Sequence, residues 1–274
     1  MSAIYIVGTP IGNLKDITYR AVETLQAADL IACEDTRRSL VLLNRYGIKK
    51  PLIAYHKFNE RECAERLLAA AEAGKNVALI TDAGLPCVSD PGTVLVNAAR
   101  ERGIKIEVVG AGTALIHALI GSGRGGGGFY FAGFLPDRGK GRRAFLEGLK
   151  PVRAPLIFYS APHDLNRDLK DLFAAFGARC ACLARELTKL YEEVAEYVLN
   201  ENPDLEARGE YVLVIEGAGE TANPLLALPP AEHLKAHIAA GLPTNEAVKR
   251  TARERGVAKN EIYKLALPLN LDSE

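Results

Sequence analysis

Residues 79–92 of the chain read Leu-Ile-Thr-Asp-Ala-Gly-Leu-Pro-Cys-Val-Ser-Asp-Pro-Gly. An apolar run stops just before Thr81-Asp82, and Gly84, Pro86, Pro91 and Gly92 break up the residues after it. A carboxylate where a buried strand ends, leading into a loop of exposed backbone groups, is a natural seat for a small polar ligand. Asp82 and Asp90 would repel an anion, so hydroxyls and amines suit the loop better than phosphate. The same residue types also build an ordinary strand-to-helix turn, so the loop alone does not fix a ligand.

Other chemistries fit less well. Gly8-Thr9-Pro10-Ile11-Gly12-Asn13 lacks the lysine and hydroxyl of a phosphate-binding loop. Ser160, His163 and Asp164 are triad residue types, but residues this close in sequence rarely reach triad geometry. His233 and His237 share a face of an expected helix with no further ligand in a zinc-protease pattern. They read as a surface pair, and no metal is expected. Gly110-Ala111-Gly112-Thr113-Ala114-Leu115 stands where a dinucleotide fingerprint belongs, but Leu115 replaces its third glycine and no acidic residue comes at ribose spacing. What this stretch supports is a helix N-terminus near a ligand, with Thr113 as cap or hydrogen-bond donor.

These residues must be positioned by the elements between them. Apolar runs predict strands at Ala3–Val7, Leu30–Cys33, 52–55, Val77–Ile80 and Lys105–Val109. Helical spacing appears at 18–28 (capped by Asp16 or Thr18), 39–46, 59–73, 93–102 and 113–120. The alternation implies a mostly parallel, doubly wound sheet. The glycine-rich stretch 121–128 reads as a linker. Beyond it, strands are expected at 129–134, 156–159, 179–184, 191–199 and 210–215, with helices at 139–149 and 164–176. Short connections make this second sheet partly antiparallel. Helices at 232–240, 245–255 (started by a Thr244 cap) and 260–267 form a small tail. The expected fold class is α/β, with two α/β domains, 1–121 and 122–223, and a helical tail, 224–274.

At 274 residues the chain can bury a sizeable core. Lysine plus arginine balance aspartate plus glutamate at 34 each, so no global field favours nucleic acid or membrane. Local basic clusters, at Arg138, Lys140, Arg142 and Arg143 and again from Lys249 to Lys264, read individually as solvated helix faces. Five cysteines without framework spacing read as reduced thiols of a cytosolic protein. No apolar run approaches membrane-spanning length.

Several motifs occur together and in order: Gly8-Thr9-Pro10-Ile11-Gly12-Asn13-Leu14, Cys33-Glu34-Asp35-Thr36-Arg37, Thr81-Asp82-Ala83-Gly84 with Ser89-Asp90-Pro91-Gly92, Gly133-Phe134-Leu135-Pro136, Arg185-Glu186-Leu187-Thr188-Lys189 and Gly209-Glu210-Tyr211. With them, residues 4–217 resemble the bacterial ribosomal RNA small subunit methyltransferase I family of the tetrapyrrole methylase superfamily. The resemblance implies S-adenosyl-L-methionine as cofactor, held in a cleft between two α/β domains. It also implies methyl transfer to the ribose 2′-hydroxyl of a cytidine in the decoding centre of 16S rRNA, a homodimer and a cytoplasmic location. The implied cofactor residues are Pro10, Asp82, Gly84, Leu85, Thr113, Ala114 and Tyr159. Methyl transfer is an in-line displacement, so positioning dominates. The hydroxyl still needs a proton acceptor, a carboxylate or a neutral lysine. Glu34, Glu186 and Lys189 are the catalytic candidates, with Asp35 nearby, and Arg37, Arg38, Arg142 and Arg143 could meet RNA phosphates. Salt-bridging among these groups is the competing reading for Arg37, Arg185 and Lys189.

The chain departs from the family pattern in three places. The run at 124–128 replaces a less glycine-rich connection, which suggests looser domain coupling. Gly110-Ala111-Gly112-Thr113-Ala114 replaces Pro-Gly-Pro-Ser-Ala, and Tyr159-Ser160-Ala161-Pro162-His163-Asp164 replaces Tyr-Glu-Ser-Pro-His-Arg. These departures bear on substrate choice more than on cofactor binding. They leave open a tetrapyrrole methylase of the same fold and a non-catalytic ribosome-binding relative.

Overall fold

The computed structural model describes residues 2–219 and 224–266. Its first sheet has five strands in the order β3-β2-β4-β1-β5. These are β1 (Ala3–Val7), β2 (Leu30–Cys33), β3 (Leu52–Ala54), β4 (Val77–Ile80) and β5 (Lys105–Val109), and every pairing is parallel. Strands covered on both faces read as unbroken apolar runs, and β4, buried at each residue, is the centre. Ile4, Ile6 and Leu79 face α3 (Glu60–Glu72) and α4 (Thr93–Glu101). Val7, Ile31, Ala78 and Ile80 face α1 (Tyr19–Ala27) and α2 (Thr36–Arg45).

Thr18 caps α1 as expected, its hydroxyl accepting from the Ala21 amide at 3.1 Å. Helix α2 begins three residues before its expected start. The reason is Asp35, whose carboxylate accepts from the Arg37 amide at 2.8 Å and so sets the cap there.

The second sheet runs β6-β7-β10-β8-β9. β6 (Tyr130–Phe134) is parallel to β7 (Leu156–Ser160); β10 (Tyr211–Ile215) is antiparallel to β7 and β8 (Cys180–Arg185), and β9 (Glu193–Val198) is antiparallel to β8. The mixed character matches the short connections. One face packs on α6 (Lys140–Leu149) and α7 (Leu165–Phe176), through Leu146, Leu169 and Leu172.

The other face is covered by α5 (Ala114–Gly121). Its Leu115, Ala118 and Leu119 pack on Ile157, Cys182, Ala184, Val212 and Val214. The chain therefore passes from one half to the other at residues 110–113, ahead of α5, and not in the glycine run where sequence placed the boundary. That run is also pinned. Arg124 makes a bidentate pair with Glu196 of β9, at 2.9 and 2.8 Å, and donates to the Ser122 carbonyl.

Both sheets lie within one compact unit, Met1–Gly217; a second unit, Ala218–Glu274, holds the tail helices. There α8 (Pro230–Ala239), α9 (Thr244–Arg255) and α10 (Lys259–Ala266) enclose their own core of Leu234, Ala247, Val248, Ala252, Ile262 and Ala266. Thr244 is not the cap of α9: Pro243 takes that position, and no side chain bonds there. The expected last residue of the third tail helix, Leu267, lies outside the described residues. Among the described residues, no helix is long and apolar enough to cross a membrane.

Candidate active site between the two sheets

β4, β1 and β5 are neighbours and parallel, so their carboxyl ends deliver three loops to one place. Those loops are stitched together. Thr9 and Gly84 exchange backbone hydrogen bonds at 2.8 and 3.1 Å, and the Thr9 hydroxyl donates to the Thr81 carbonyl at 3.0 Å. The Gly8 amide donates to the Val109 carbonyl at 3.0 Å. Glycine is required here by proximity, because a β-carbon on Gly8 would lie 2.3 Å from that of Ala111. Gly84 is required by conformation, with φ at +83°.

The loops form one wall of a cleft of about 310 Å³. Ile11, Gly84, Leu85, Asp90, Thr113 and Ala114 line it from the first sheet's side. Phe134, Tyr159, Pro162, Glu210 and Val212 line it from the second. Tyr159 is braced edge-on by Phe131 and Phe134, with ring centroids 5.0 and 5.4 Å away. Burial pushes its phenol pKa up, opposed in part by the Leu115 amide.

Two carboxylates line the wall, Asp90 from the first sheet's side and Glu210 from the second. Burial and, behind it, the Glu34 charge push the Asp90 carboxyl up to about 6, against a hydrogen bond from Thr81. The Thr81 hydroxyl itself donates to Glu34 at 3.1 Å, so Glu34 sits one residue removed from the cleft. Asp82 faces elsewhere. Its carboxylate accepts from the Asp35 amide at 3.2 Å and from Arg38 at 3.1 Å, and it does not line the cleft. The sequence pattern suggests these two aspartates in opposite roles. Gly84, Leu85, Thr113, Ala114 and Tyr159 line the cleft as expected; Pro10 is buried, and its neighbour Ile11 takes the wall position. Thr113 occupies the cap position of α5 without a side-chain cap bond.

Glu186 and Lys189 form a separate charged knot. The Lys189 ammonium bonds Glu186 at 2.9 Å and Glu210 at 3.0 Å, and Glu186 also accepts from the Glu210 amide at 2.9 Å. Burial pulls the Lys189 pKa down, but its two carboxylates outweigh that and raise it. The two carboxylates favour its ammonium form over the neutral amine a base would need. Burial raises the Glu186 carboxyl, and the Glu210 amide and Lys189 outweigh it and lower it. The knot is closely fitted: Glu186 has φ at +48°, and a β-carbon on Gly209 would meet its carboxylate at 2.4 Å. Glu210, absent from the sequence candidates although it stands in the Gly209-Glu210-Tyr211 motif, links this knot to the cleft wall.

Arg142 is not available to RNA. It is buried, bonding Asp168 at 2.8 Å, Asp171 at 2.7 Å and the Pro136 carbonyl at 3.0 Å. Arg37 and Arg38 are mostly exposed while paired with Asp35 and Asp82, and Arg143 is exposed. Ser160 donates to Asp168 at 2.7 Å, while His163 lies beside Asp164, so no serine triad assembles.

A parallel sheet and a mixed sheet closing on a cleft at their loop ends define a class of protein. The sequence profile of the Tetrapyrrole (Corrin/Porphyrin) Methylases matches residues 3–202. The crystal structure of uroporphyrin-III-C-methyltransferase from Thermus thermophilus shares the fold, with a TM-score of 0.58 at 22% identity over 79% of this chain and 94% of that one. The curated ribosomal RNA small subunit methyltransferase I of Halalkalibacterium halodurans is 42% identical over 270 residues, 96% of this chain and 93% of the relative. Its counterpart in Escherichia coli O157:H7 is 42% identical over 273 residues, covering 96% and 94%. The chain belongs to the ribosomal RNA small subunit methyltransferase I family of tetrapyrrole methylases.

Proposed function

We propose that this chain transfers a methyl group from S-adenosyl-L-methionine to the ribose 2′-hydroxyl of a cytidine in the decoding centre of 16S rRNA. The observation that carries the mechanism is the place of Asp90, a half-buried carboxylate in the wall of the cleft, where burial and the Glu34 charge push its carboxyl up. The cleft suits the cofactor. It offers apolar surface at Ile11, Leu85 and Val212, an aromatic wall at Tyr159, loop backbone groups at Gly84 and Ala114, and a carboxylate near which a cation is favoured. When bound, the cofactor supplies an electrophilic methyl on a sulfonium.

The chain's own residues do the rest. Gly84, Leu85, Thr113, Ala114 and Tyr159 hold and orient the cofactor. The braced Tyr159 and Phe134 exclude water from that wall. Asp90 accepts the hydroxyl proton at its carboxylate, since a base titrating near the working pH is largely ionised yet still basic. Glu34 keeps Asp90 basic through its negative charge. Arg37, Arg38 and Arg143 meet phosphates and set the register of the RNA. The small ribosomal subunit is the partner, and the enzyme works as a cytoplasmic homodimer, which sedimentation equilibrium would check. Departure of the chain at Ser160 is absorbed internally by its bond to Asp168, which supports a working cleft over a non-catalytic relative.

The test is transfer of labelled methyl to 30S particles, with nucleotide-resolution mapping of 2′-O-methylation in rRNA. One modified cytidine ribose is expected. Transfer to uroporphyrinogen with none to 30S particles would replace this reading by a tetrapyrrole substrate.

A further inference from the structure

The histidine pair set aside in the sequence is not on the surface. His233 and His237 lie one turn apart on α8, and their side chains are 0% and 7% exposed. Helix α9 brings a third group against them. His233 Nε2 lies 2.8 Å and His237 Nε2 2.9 Å from the same oxygen, Oε2 of Glu254, and the two Nε2 atoms are 3.1 Å apart. The other oxygen of Glu254, Oε1, accepts from Arg250 Nε at 2.9 Å, one turn back on α9. That bond turns Oε2 toward the imidazoles, as outer partners of metal-binding carboxylates do.

The two imidazole Nε2 atoms face the same carboxylate oxygen and each other, so three lone-pair-bearing atoms converge on one point. Donors about 2.1 Å from one cation lie about 3 Å apart at octahedral angles and about 3.4 Å apart at the tetrahedral angles of zinc, so the 2.8, 2.9 and 3.1 Å found here need only a few tenths of an ångström of opening to seat zinc. Two imidazoles and one carboxylate on one face of an ion are also a donor set that first-row transition metals favour over calcium or magnesium. A spacing of four residues on one helix supplies the first two ligands, and the third comes from a second helix, so binding would pin α8 to α9. The unit that contains them has a small core of its own, and small cores are the ones that gain most from a metal staple.

We propose that His233, His237 and Glu254 bind one divalent first-row transition metal ion, with solvent completing its coordination from the side where Glu254 is 19% exposed. The function of the ion is to fasten the helices of the tail unit to one another.

The test uses the full chain, stripped with chelator and kept reduced, and titrates zinc against a chromophoric competitor. One equivalent per chain is expected, with none in Glu254→Gln or His237→Gln. Circular dichroism establishes that each variant keeps its helix content. Should a variant unfold, cobalt substitution in the unaltered chain decides: hyperfine-shifted imidazole N–H signals from two histidines, without thiolate charge-transfer bands, are expected. Absence of tight zinc uptake by the unaltered chain would overturn the proposal. So would uptake that persists in both folded variants, or cobalt bands showing thiolate ligation, since either places the metal on cysteine.

Discussion

Asp90 sits at a cost that its position explains. Its carboxyl is pushed from 3.8 to about 6 by burial and by Glu34, so the folded state binds its proton more tightly than the unfolded chain. Below about pH 4 the group is protonated in both states and costs nothing; the penalty grows as pH rises to about 6 and stays constant above. Replacing Asp90 by Asn should therefore raise stability at pH 7.5 by at most about 2 kcal/mol, discounted for partial solvation, with the gain fading at pH 4. Methyl transfer should fall about 10²- to 10⁴-fold while calorimetry finds cofactor affinity little changed. In the unaltered enzyme the rate should climb as pH passes through about 6. A variant that is both more active and more stable would remove Asp90 from the chemistry. Asp82→Ala makes the contrasting case. It should lose about 1 kcal/mol from the Arg38 and Asp35 contacts and bind cofactor as before, measured by denaturation and calorimetry. A tenfold weaker cofactor would return Asp82 to the cleft. At this scale the sequence reading put Asp82 beside the cofactor, whereas Asp90 of the same loop is the one that lines the cleft. The choice depends on Arg38, 44 residues away in the chain, which turns Asp82 aside. Ser89-Asp90-Pro91-Gly92 has the composition of a turn, and composition carries no sign of burial.

Among the elements, strands and helices were legible wherever one apolar period held, as in β4 and α3. Boundaries moved where a side chain captured a backbone amide that composition does not single out, as Asp35 does for α2. Arg142 illustrates the opposite loss. It belongs to a basic run that reads as solvated, yet it ties α6 to α7 through Asp168 and Asp171, which lie on another helix. Its replacement by Ala should destabilise the protein by about 3–5 kcal/mol, because Asp168 would be left buried without its cation. Chemical denaturation measures this. RNA affinity at a temperature where the variant is folded should not change, whereas Arg143→Ala should weaken it and reduce its salt dependence.

For the molecule as a whole, the ordered motifs announced two α/β halves and a cleft, and the family comparison agrees. They did not announce which half owns α5. Its apolar face is written in Leu115, Ala118 and Leu119, but periodicity says nothing about which sheet that face will cover. Since Ile11 of a first-sheet loop joins the same cluster as α5 and the second sheet, the halves share packing. Leu115→Ala should cost about 2–4 kcal/mol, and loss of cofactor binding should coincide with loss of secondary structure in one transition. Two separate transitions would mean that the halves fold independently.

The passage of α5 across the molecule has a consequence for cutting it. A protease site placed among Gly125, Gly126, Gly127 and Gly128 would leave α5 on the amino-terminal piece, while Ile157, Val212 and Val214 on the other piece lose their cover. Each fragment then holds half of one apolar seam, so the pieces should find each other on mixing and restore methyl transfer. Pieces divided instead within residues 110–113 carry no such shared helix and should recombine poorly. The glycine run would thus be a place to sever the backbone without severing the enzyme, giving a split methyltransferase whose assembly is read out by its own product.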